Sequence, residues 1–416
     1  MTTRLYGIVW RWHFLAGIAA CPVLVVIALT GALYAFADEI ERALKPELFF
    51  VEPAGERLAL DRLVAAVPAS CAPQAVVLSP DPARTVEVRC QPVDDIQHRW
   101  FVDPARGAAL GTDTWSRSFV GVVWELHWNL MLGDRGRLVV EWATSWAVVL
   151  MLSGAYLWWP RGRRGGTWWP RRDVRLRPWL RDLHAIIGAY IVPVLLAIAA
   201  SGLCWTLLAG EQRWERTHDD VAHRTWHYPP ASTVVDGAPR IGIAAAVAAA
   251  GVDLRHEARA LYVQLPAAPG DAYTIWLHAV GHGSPAQAVS TWIDAYSGRV
   301  LTRVGWAEHS TLGAVSNSLY AIHVGSIGGL PGRITALIAA LVLAWLGVSG
   351  PWMWLQRRPR RGLGVPPRAR RTPWPLFAAW VVLGWLLPAV GYTLLAVIAC
   401  EVVAWAARRR FRRGGA

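Results

Sequence analysis

Two stretches decide the fold: RWHFLAGIAACPVLVVIALTGA at residues 11–32 and RDLHAIIGAYIVPVLLAIAASGL at residues 181–203. At one constant offset, His13, Gly17, Pro22, Val23, Leu24, Ile27, Ala28, Thr30 and Gly31 match His184, Gly188, Pro193, Val194, Leu195, Ile198, Ala199, Ser201 and Gly202. Both runs are long enough to cross a hydrocarbon core of roughly 30 Å, which takes about 20 helical residues. A second pair of runs repeats in the same way. His127, Gly136, Arg137, Leu138, Ser153, Gly154 and Trp158 match His323, Gly332, Arg333, Ile334, Ser349, Gly350 and Trp354. Between the members of each half lies a fainter echo, Val102-Asp103, Gly107 and Leu110 against Ile293-Asp294, Gly298 and Leu301, which reads as strand, turn and strand. The repeating unit is therefore span, outer segment, span. Parallel repeats of this kind pack about a pseudo-twofold axis along the membrane normal.

Composition agrees with a membrane as the solvent. The chain has 416 residues, 54% hydrophobic and 17% charged, a balance unsuited to a soluble protein. The apolar runs at residues 14–37, 138–159, 184–208 and 334–355 are single spans, and residues 374–407, interrupted by Pro388 and Gly391, read as a helical hairpin. The net charge of +13 does not point to nucleic acid, because arginine gathers in short segments beside the spans. Arg161, Arg163, Arg164, Arg171, Arg172, Arg175, Arg177 and Arg181 form one such loop. Arg357, Arg358, Arg360, Arg361, Arg368, Arg370 and Arg371 form another, and Arg408, Arg409, Arg410, Arg412 and Arg413 a third. The positive-inside rule makes these cytoplasmic, together with both termini, and about six crossings satisfy every assignment. Ala35-Phe36-Ala37 resembles a signal-peptidase site, but the preceding run exceeds the 7 to 15 residues of a signal core and takes part in the repeat.

The expected organisation is a first transmembrane helix at 1–44, an outer domain at 45–117 and an interfacial segment with the second helix at 118–160. An arginine-rich loop at 161–181 leads to the third helix at 182–209, a second outer domain at 210–307 and an interfacial segment with the fourth helix at 308–357. A linker at 358–373 and the hairpin at 374–407 complete the chain. The outer segments contain strand-like runs at 75–78, 85–90, 260–265 and 273–278. Cys71 and Cys90 share the first of them, on the oxidising side, where a disulfide and two separate buried thiols are both open readings. Cys21, Cys204 and Cys400 fall within spans as packing residues.

An ionisable side chain at the edge of a span usually has a specific partner. His13 and His184 begin the first and third spans on the cytoplasmic side, while His127 and His323 precede the second and fourth on the outer side. The repeat axis brings His13 towards His184 and His127 towards His323. Two facing pairs at two depths suit two bis-histidine b-type haems, since neutral imidazole ligates haem iron and helix bundles build such sites from facing helices. Gly17 and Gly188, one turn beyond His13 and His184, leave room for a flat macrocycle. Arg11, Arg181, Arg137 and Arg333 are candidates for propionate pairing or for headgroup anchoring. Bare metal is the rival, but these pairs lack the carboxylates or thiolates that would complete a zinc site. His218, His223 and His227 with Asp219 and Asp220 read as a solvated polar cluster able to touch a metal or ligand. Tryptophans such as Trp158, Trp159, Trp352 and Trp354 sit where interfacial belts do.

At these residues the chain resembles the PepSY-associated transmembrane family, which includes inner-membrane ferric-siderophore reductases. The matching motifs are Arg11-Trp12-His13 through Thr30-Gly31-Ala32, Leu126-His127 with Gly136-Arg137, and Gly154-Ala155-Tyr156-Leu157-Trp158-Trp159-Pro160-Arg161. Asp182-Leu183-His184 and Leu319-Tyr320-Ala321-Ile322-His323 with Gly329-Leu330-Pro331-Gly332-Arg333 complete them. The resemblance implies a membrane α-helical bundle carrying two small α+β PepSY-like periplasmic domains, with the four histidines as haem ligands. It further implies reduction of a periplasmic ferric siderophore, releasing Fe(II). No Gly-rich dinucleotide motif precedes a helix, so the donor is a quinol or a separate cytoplasmic protein. The expected setting is a bacterial inner membrane, with lipid around the spans. Two other classes compete: a non-catalytic PepSY membrane protein that binds or regulates periplasmic partners, and a siderophore transporter, which the scarcity of intramembrane charge disfavours.

Overall fold

The elements, in chain order, begin with α1 (Thr2–Tyr34), α2 (Ala37–Leu44), α3 (Pro46–Phe49), α4 (Leu60–Ala65), β1 (Pro73–Leu78), β2 (Val86–Cys90), β3 (His98–Val102) and β4 (Ala109–Thr114). Next come α5 (Phe119–Asn129), α6 (Gly133–Trp158), α7 (Leu176–Leu203), α8 (Ile243–Ala249), β5 (Ala260–Gln264), β6 (Tyr273–His278), β7 (Val289–Ile293) and β8 (Val300–Val304). The last are α9 (Thr311–His323), α10 (Leu330–Arg357), α11 (Trp374–Leu386) and α12 (Pro388–Arg413). This computed structural model describes residues 2–91, 96–160, 166–172, 174–214, 225, 228–253, 259–278, 287–359, 362, 364–367 and 373–413. They divide into a helical unit, Met1–Ala32, Leu126–Thr217 and Leu337–Ala416, and a sheet-bearing unit, Leu33–Glu125 and His218–Ala336.

Among the described residues, five helices are long and apolar enough to cross a membrane: α1 from Leu5 to Tyr34, α6, α7, α10, and α12 from Pro388 to Trp405. The terminal hairpin takes the form of α11 and α12, broken before Pro388, but the 13 residues of α11 rise only about 20 Å, short of a full upright crossing. The expectation of about six crossings therefore meets five full-length helices and one short arm. Small residues bring the helices together: Ala16 and Ala20 of α1, Ala143 and Ala147 of α6 and Ala339 of α10 are buried with Leu24, Trp146, Leu195 and Val390. Without a hydrophobic drive between helices in lipid, close backbone approach through such residues supplies the packing. Large apolar side chains such as Leu341, Val381 and Leu395 stay exposed, as lipid-facing positions do. Pro22 and Pro193, matched by the repeat, each lie inside a continuous helix.

In the sheet-bearing unit, alternation of period two produces the expected strands. β2, for example, reads buried, partly buried, buried along VEVRC. The two outer segments do not form separate sheets. Their strands join in one antiparallel sheet ordered β4-β3-β2-β1-β5-β6-β7-β8, with the seam at Val76 opposite Val263. α4 and α8 bury Leu60, Leu63, Ala246 and Val247 in one cluster with Val76, Val88, Leu261, Val263 and Ile275. The Asp61 carboxylate of α4 accepts from the Ile243 and Ala244 amides at 2.8 and 3.2 Å, capping α8 from the other repeat. Cys71 and Cys90 are joined as a disulfide, settling the two open readings.

The faint echo proves to be a structural device used twice. Asp103 accepts from the Ala105 and Arg106 amides at 2.8 and 2.9 Å, and Asp294 from Tyr296 and Ser297 at 3.0 and 2.8 Å. Gly107 and Gly298 then turn the chain at φ 69° and 71°. Burial would raise the Asp294 carboxyl, yet the Ser297, Thr233 and Tyr296 amides outweigh it and lower the pKa to about 2. With the folded value below the unfolded one, this group's contribution to stability is complete above about pH 4 and is lost as pH falls towards 2. Acid unfolding followed by calorimetry should show that loss in the wild type and not in Asp294→Asn. Parallel acid profiles would contradict the assignment.

Candidate functional site

The helical unit places His13 of α1 beside α6 and His184 of α7 beside α10, in the same local arrangement. His13 Nδ1 lies 2.9 Å from Ser153 Oγ, and the Ser153 hydroxyl donates to the Leu150 carbonyl at 3.1 Å. A hydroxyl carries one proton. With that proton committed to Leu150, the Ser153 oxygen accepts from His13 Nδ1–H, and the neutral ring keeps its lone pair on Nε2. His184 Nδ1 lies 2.8 Å from Ser349 Oγ, which donates to the Leu346 carbonyl at 3.4 Å, so the same assignment follows. His13 and His184 thus occupy matched crossings within the helical unit, and their pairing with one another stays an expectation from the repeat.

Glycines make the approach possible. A Cβ on Gly154 would stand 3.2 Å from His13 Cε1, and one on Gly350 would stand 3.6 Å from His184 Cε1. Gly17 and Gly188 face Leu150 and Leu346 in ordinary contact, at 3.8 and 3.5 Å from a notional Cβ.

His127 belongs to the same unit and meets the far end of α1. Its Nδ1 donates to the Ile27 carbonyl at 2.9 Å, which again leaves Nε2 with the lone pair. Gly31 is required here, since a Cβ would come within 2.9 Å of His127 Cε1. Thr30 back-bonds to Val26 at 2.7 Å, as its repeat partner Ser201 does to Ala197. His323 ends α9 in the sheet-bearing unit, so its pairing with His127 stays an expectation from the repeat.

The four arginines named as candidates for propionate pairing or headgroup anchoring each meet a protein group. Arg137 pairs with Glu211, with its guanidinium 4.3 Å from the Trp128 ring centroid. Arg333 binds Glu39 at 2.7 Å and the Ala35 carbonyl at 2.6 Å, with the Phe36 ring at 4.4 Å. Each arginine thus reaches a glutamate that follows the first span of the other repeat. Arg181 pairs with Asp182 at 2.9 Å, and Arg11 bonds the Pro366 carbonyl. No group of three or more His, Cys, Asp or Glu placed to hold a bare metal ion occurs among the described residues. His218, His223, His227, Asp219 and Asp220 lie outside the described residues, as do His256 and His282. His98 meets Thr114 at 3.2 Å and His309 meets Asn317 at 3.3 Å, both local pairings.

Membrane-length helices built as a repeat, with matched imidazoles at their crossings, define a multi-pass membrane protein. The chain belongs to the family described as the PepSY-associated TM region, which matches residues 10–357. The match takes in both repeats and stops short of α11 and α12. No curated protein matches the chain. Sequence reasoning found the histidines but gave Ser153 and Ser349 no role. Their recurrence at the same offset as Gly154 and Gly350 was the available signal.

Proposed function

We propose that the chain is a di-haem electron carrier of the inner membrane that reduces ferric siderophore on the periplasmic side. The observation that carries this reading is the repeated relay from His13 to Ser153 and from His184 to Ser349, which leaves each imidazole presenting its Nε2 lone pair. That donor set fits an axially ligated haem better than a bare ion, which needs more ligands. A haem bound there supplies a one-electron Fe(III)/Fe(II) couple. The residues do the rest. Ser153 and Ser349 fix tautomer and ring orientation, as partners of metal-binding histidines commonly do. Ala20, Leu24, Ala143 and Trp146 keep the bundle interior apolar and exclude water.

His127 and His323 complete the outer site in this reading, and the Cys71–Cys90 disulfide suits an oxidising compartment on the sheet side. Both termini are then cytoplasmic. A ferric chelate receives one electron per iron, and its hard oxygen ligands hold the resulting Fe(II) weakly. The test uses full-length protein, reduced anaerobically and mixed with ferric trihydroxamate and a ferrous-specific chromogenic chelator. Wild type should release Fe(II), and His323→Ala should release little. Reduced wild type that leaves the ferric chelate untouched would overturn the reading.

A further inference from the structure

The turn that joins α5 to α6 carries a strain that its own side chains do not reward. Leu130 and Met131, at φ 55° and 57°, are the non-glycine residues with positive φ among the described residues. An L residue there brings its Cβ against the following carbonyl oxygen. Met131 is 57% exposed and Leu132 after it 62%, so burial of these side chains does not hold the backbone in place. Such strain persists only where the surroundings over-determine it.

The surroundings are two helix ends. Asn129, the last residue of α5, is buried. Its Oδ1 accepts from the Met131 amide at 2.7 Å and its carbonyl from the Leu132 amide at 2.9 Å, which winds the chain through the left-handed region. On the α6 side Gly136 makes the seat, since a Cβ there would collide with the Asn129 carbonyl oxygen. His127 lies two residues before Asn129, on a different face of the same helical turn. That face meets α1, where the Ile27 carbonyl takes Nδ1–H at 2.9 Å and Gly31 leaves room for the ring. The end of α5 is thus held from both sides, by His127 on α1 and by Asn129 on α6.

The second repeat makes the matching turn with glycine at its positive-φ positions. Gly325, Gly329 and Gly332 stand where Asn129, Gly133 and Gly136 do, and Gly325 and Gly329 take φ 72° and 62°. A Cβ on Gly332 would again collide with the carbonyl of the matched residue, Gly325. The carbonyl seat is therefore common to both halves. The Asn129 side-chain bond and the two strained residues belong to the His127 half alone.

We propose that Asn129 is a positioning residue for His127. By closing the strained turn it fixes the end of α5, keeps His127 Nδ1–H on the Ile27 carbonyl and sets the direction of Nε2. The proposal rests on the reductase reading, in which His127 holds the outer haem.

The test compares full-length wild type with Asn129→Ala in phosphatidylcholine nanodiscs, by electron paramagnetic resonance of the oxidised haems and by haem titration. The outer-haem signal is the one that His323→Ala abolishes. In Asn129→Ala that signal should shift and the affinity for that haem fall on the order of 10-fold, with the inner signal unmoved. Asn129→Gln keeps an amide but moves it one methylene out of reach, and should give the same signature if the alanine variant fails to fold. Adding Leu130→Gly and Met131→Gly to Asn129→Ala should restore the wild-type signal, because glycine takes the left-handed region without the side-chain bond. An unmoved outer signal, or an equal shift of both signals, would overturn the proposal. Wild type that holds no haem would defeat the reductase reading alone, because nitrogen NMR of histidine-labelled protein still reads the His127 tautomer. There Nδ1–H should be present in wild type and give way to Nε2–H in Asn129→Ala, and the same tautomer in both would defeat the positioning role alone.

Discussion

Arg99→Met should lower the stability of the sheet-bearing unit by about 3–5 kcal/mol, the usual result of removing one partner from a buried ion pair. Arg99 on β3 is 3% exposed and binds Glu41 of α2 and Asp113 of β4, both at 2.7 Å. Lys45 reaches the same Asp113 at 2.7 Å but is too distant in role to replace the guanidinium at Glu41. Burial works against the Asp113 carboxylate, and the Lys45 and Arg99 bonds outweigh it, holding its pKa below the ordinary range. Removing Arg99 strands the Glu41 carboxylate, which is itself buried. For a unit of this size the melting temperature should fall on the order of 10 °C. A triple variant, Arg99→Met with Glu41→Leu and Asp113→Asn, should recover much of that loss, because well-packed neutral groups often replace a buried charge cluster without penalty. Scanning calorimetry of the full chain checks both. A single variant within about 1 kcal/mol of wild type would contradict the cluster's structural role.

The second large effect belongs to the paired imidazoles. His184→Ala should reduce bound haem from two to one per chain, since the remaining His13 offers one axial nitrogen where the site needs two. Ser349→Ala separates ligation from orientation. It removes the acceptor of His184 Nδ1–H and keeps the ligand, so haem should remain while affinity falls on the order of 10- to 100-fold and the midpoint potential moves. Haem extraction, difference spectra and a potentiometric titration read these outcomes. Unchanged haem content in His184→Ala would remove His184 from the site.

Much of this was legible in the sequence, for identifiable reasons. The histidines stood out because the repeat places each at the same position in two spans. The strands stood out through period-two alternation, and Asp103 and Asp294 through the turn that follows each. The β1 to β5 seam was not legible, because the pairing of Val76 with Val263 joins segments far apart in the chain and leaves no local signature. The role of Ser153 and Ser349 was hidden for a related reason. A serine in a span ordinarily back-bonds to its own helix, and only the crossing with α1 or α7 turns its oxygen towards an imidazole. The protein partners of the arginines were not legible either. Arg137 and Arg333 sit where an anionic group would be welcome, and Glu211 and Glu39, each from the opposite repeat, already fill that need. The short α11 departs from a six-span count because hydropathy sums a hairpin without showing where Pro388 breaks it.

The central claim is that the four histidines His13, His184, His127 and His323 hold two b-type haems. The most direct measurement is the haem stoichiometry of the full-length protein from haem-replete cells, by pyridine haemochrome assay, with a reduced-minus-oxidised spectrum of the same sample. The expected result is two b-type haems per chain with a reducible Soret and alpha band. Protein that is pure, folded and free of any reducible b-type band would contradict it.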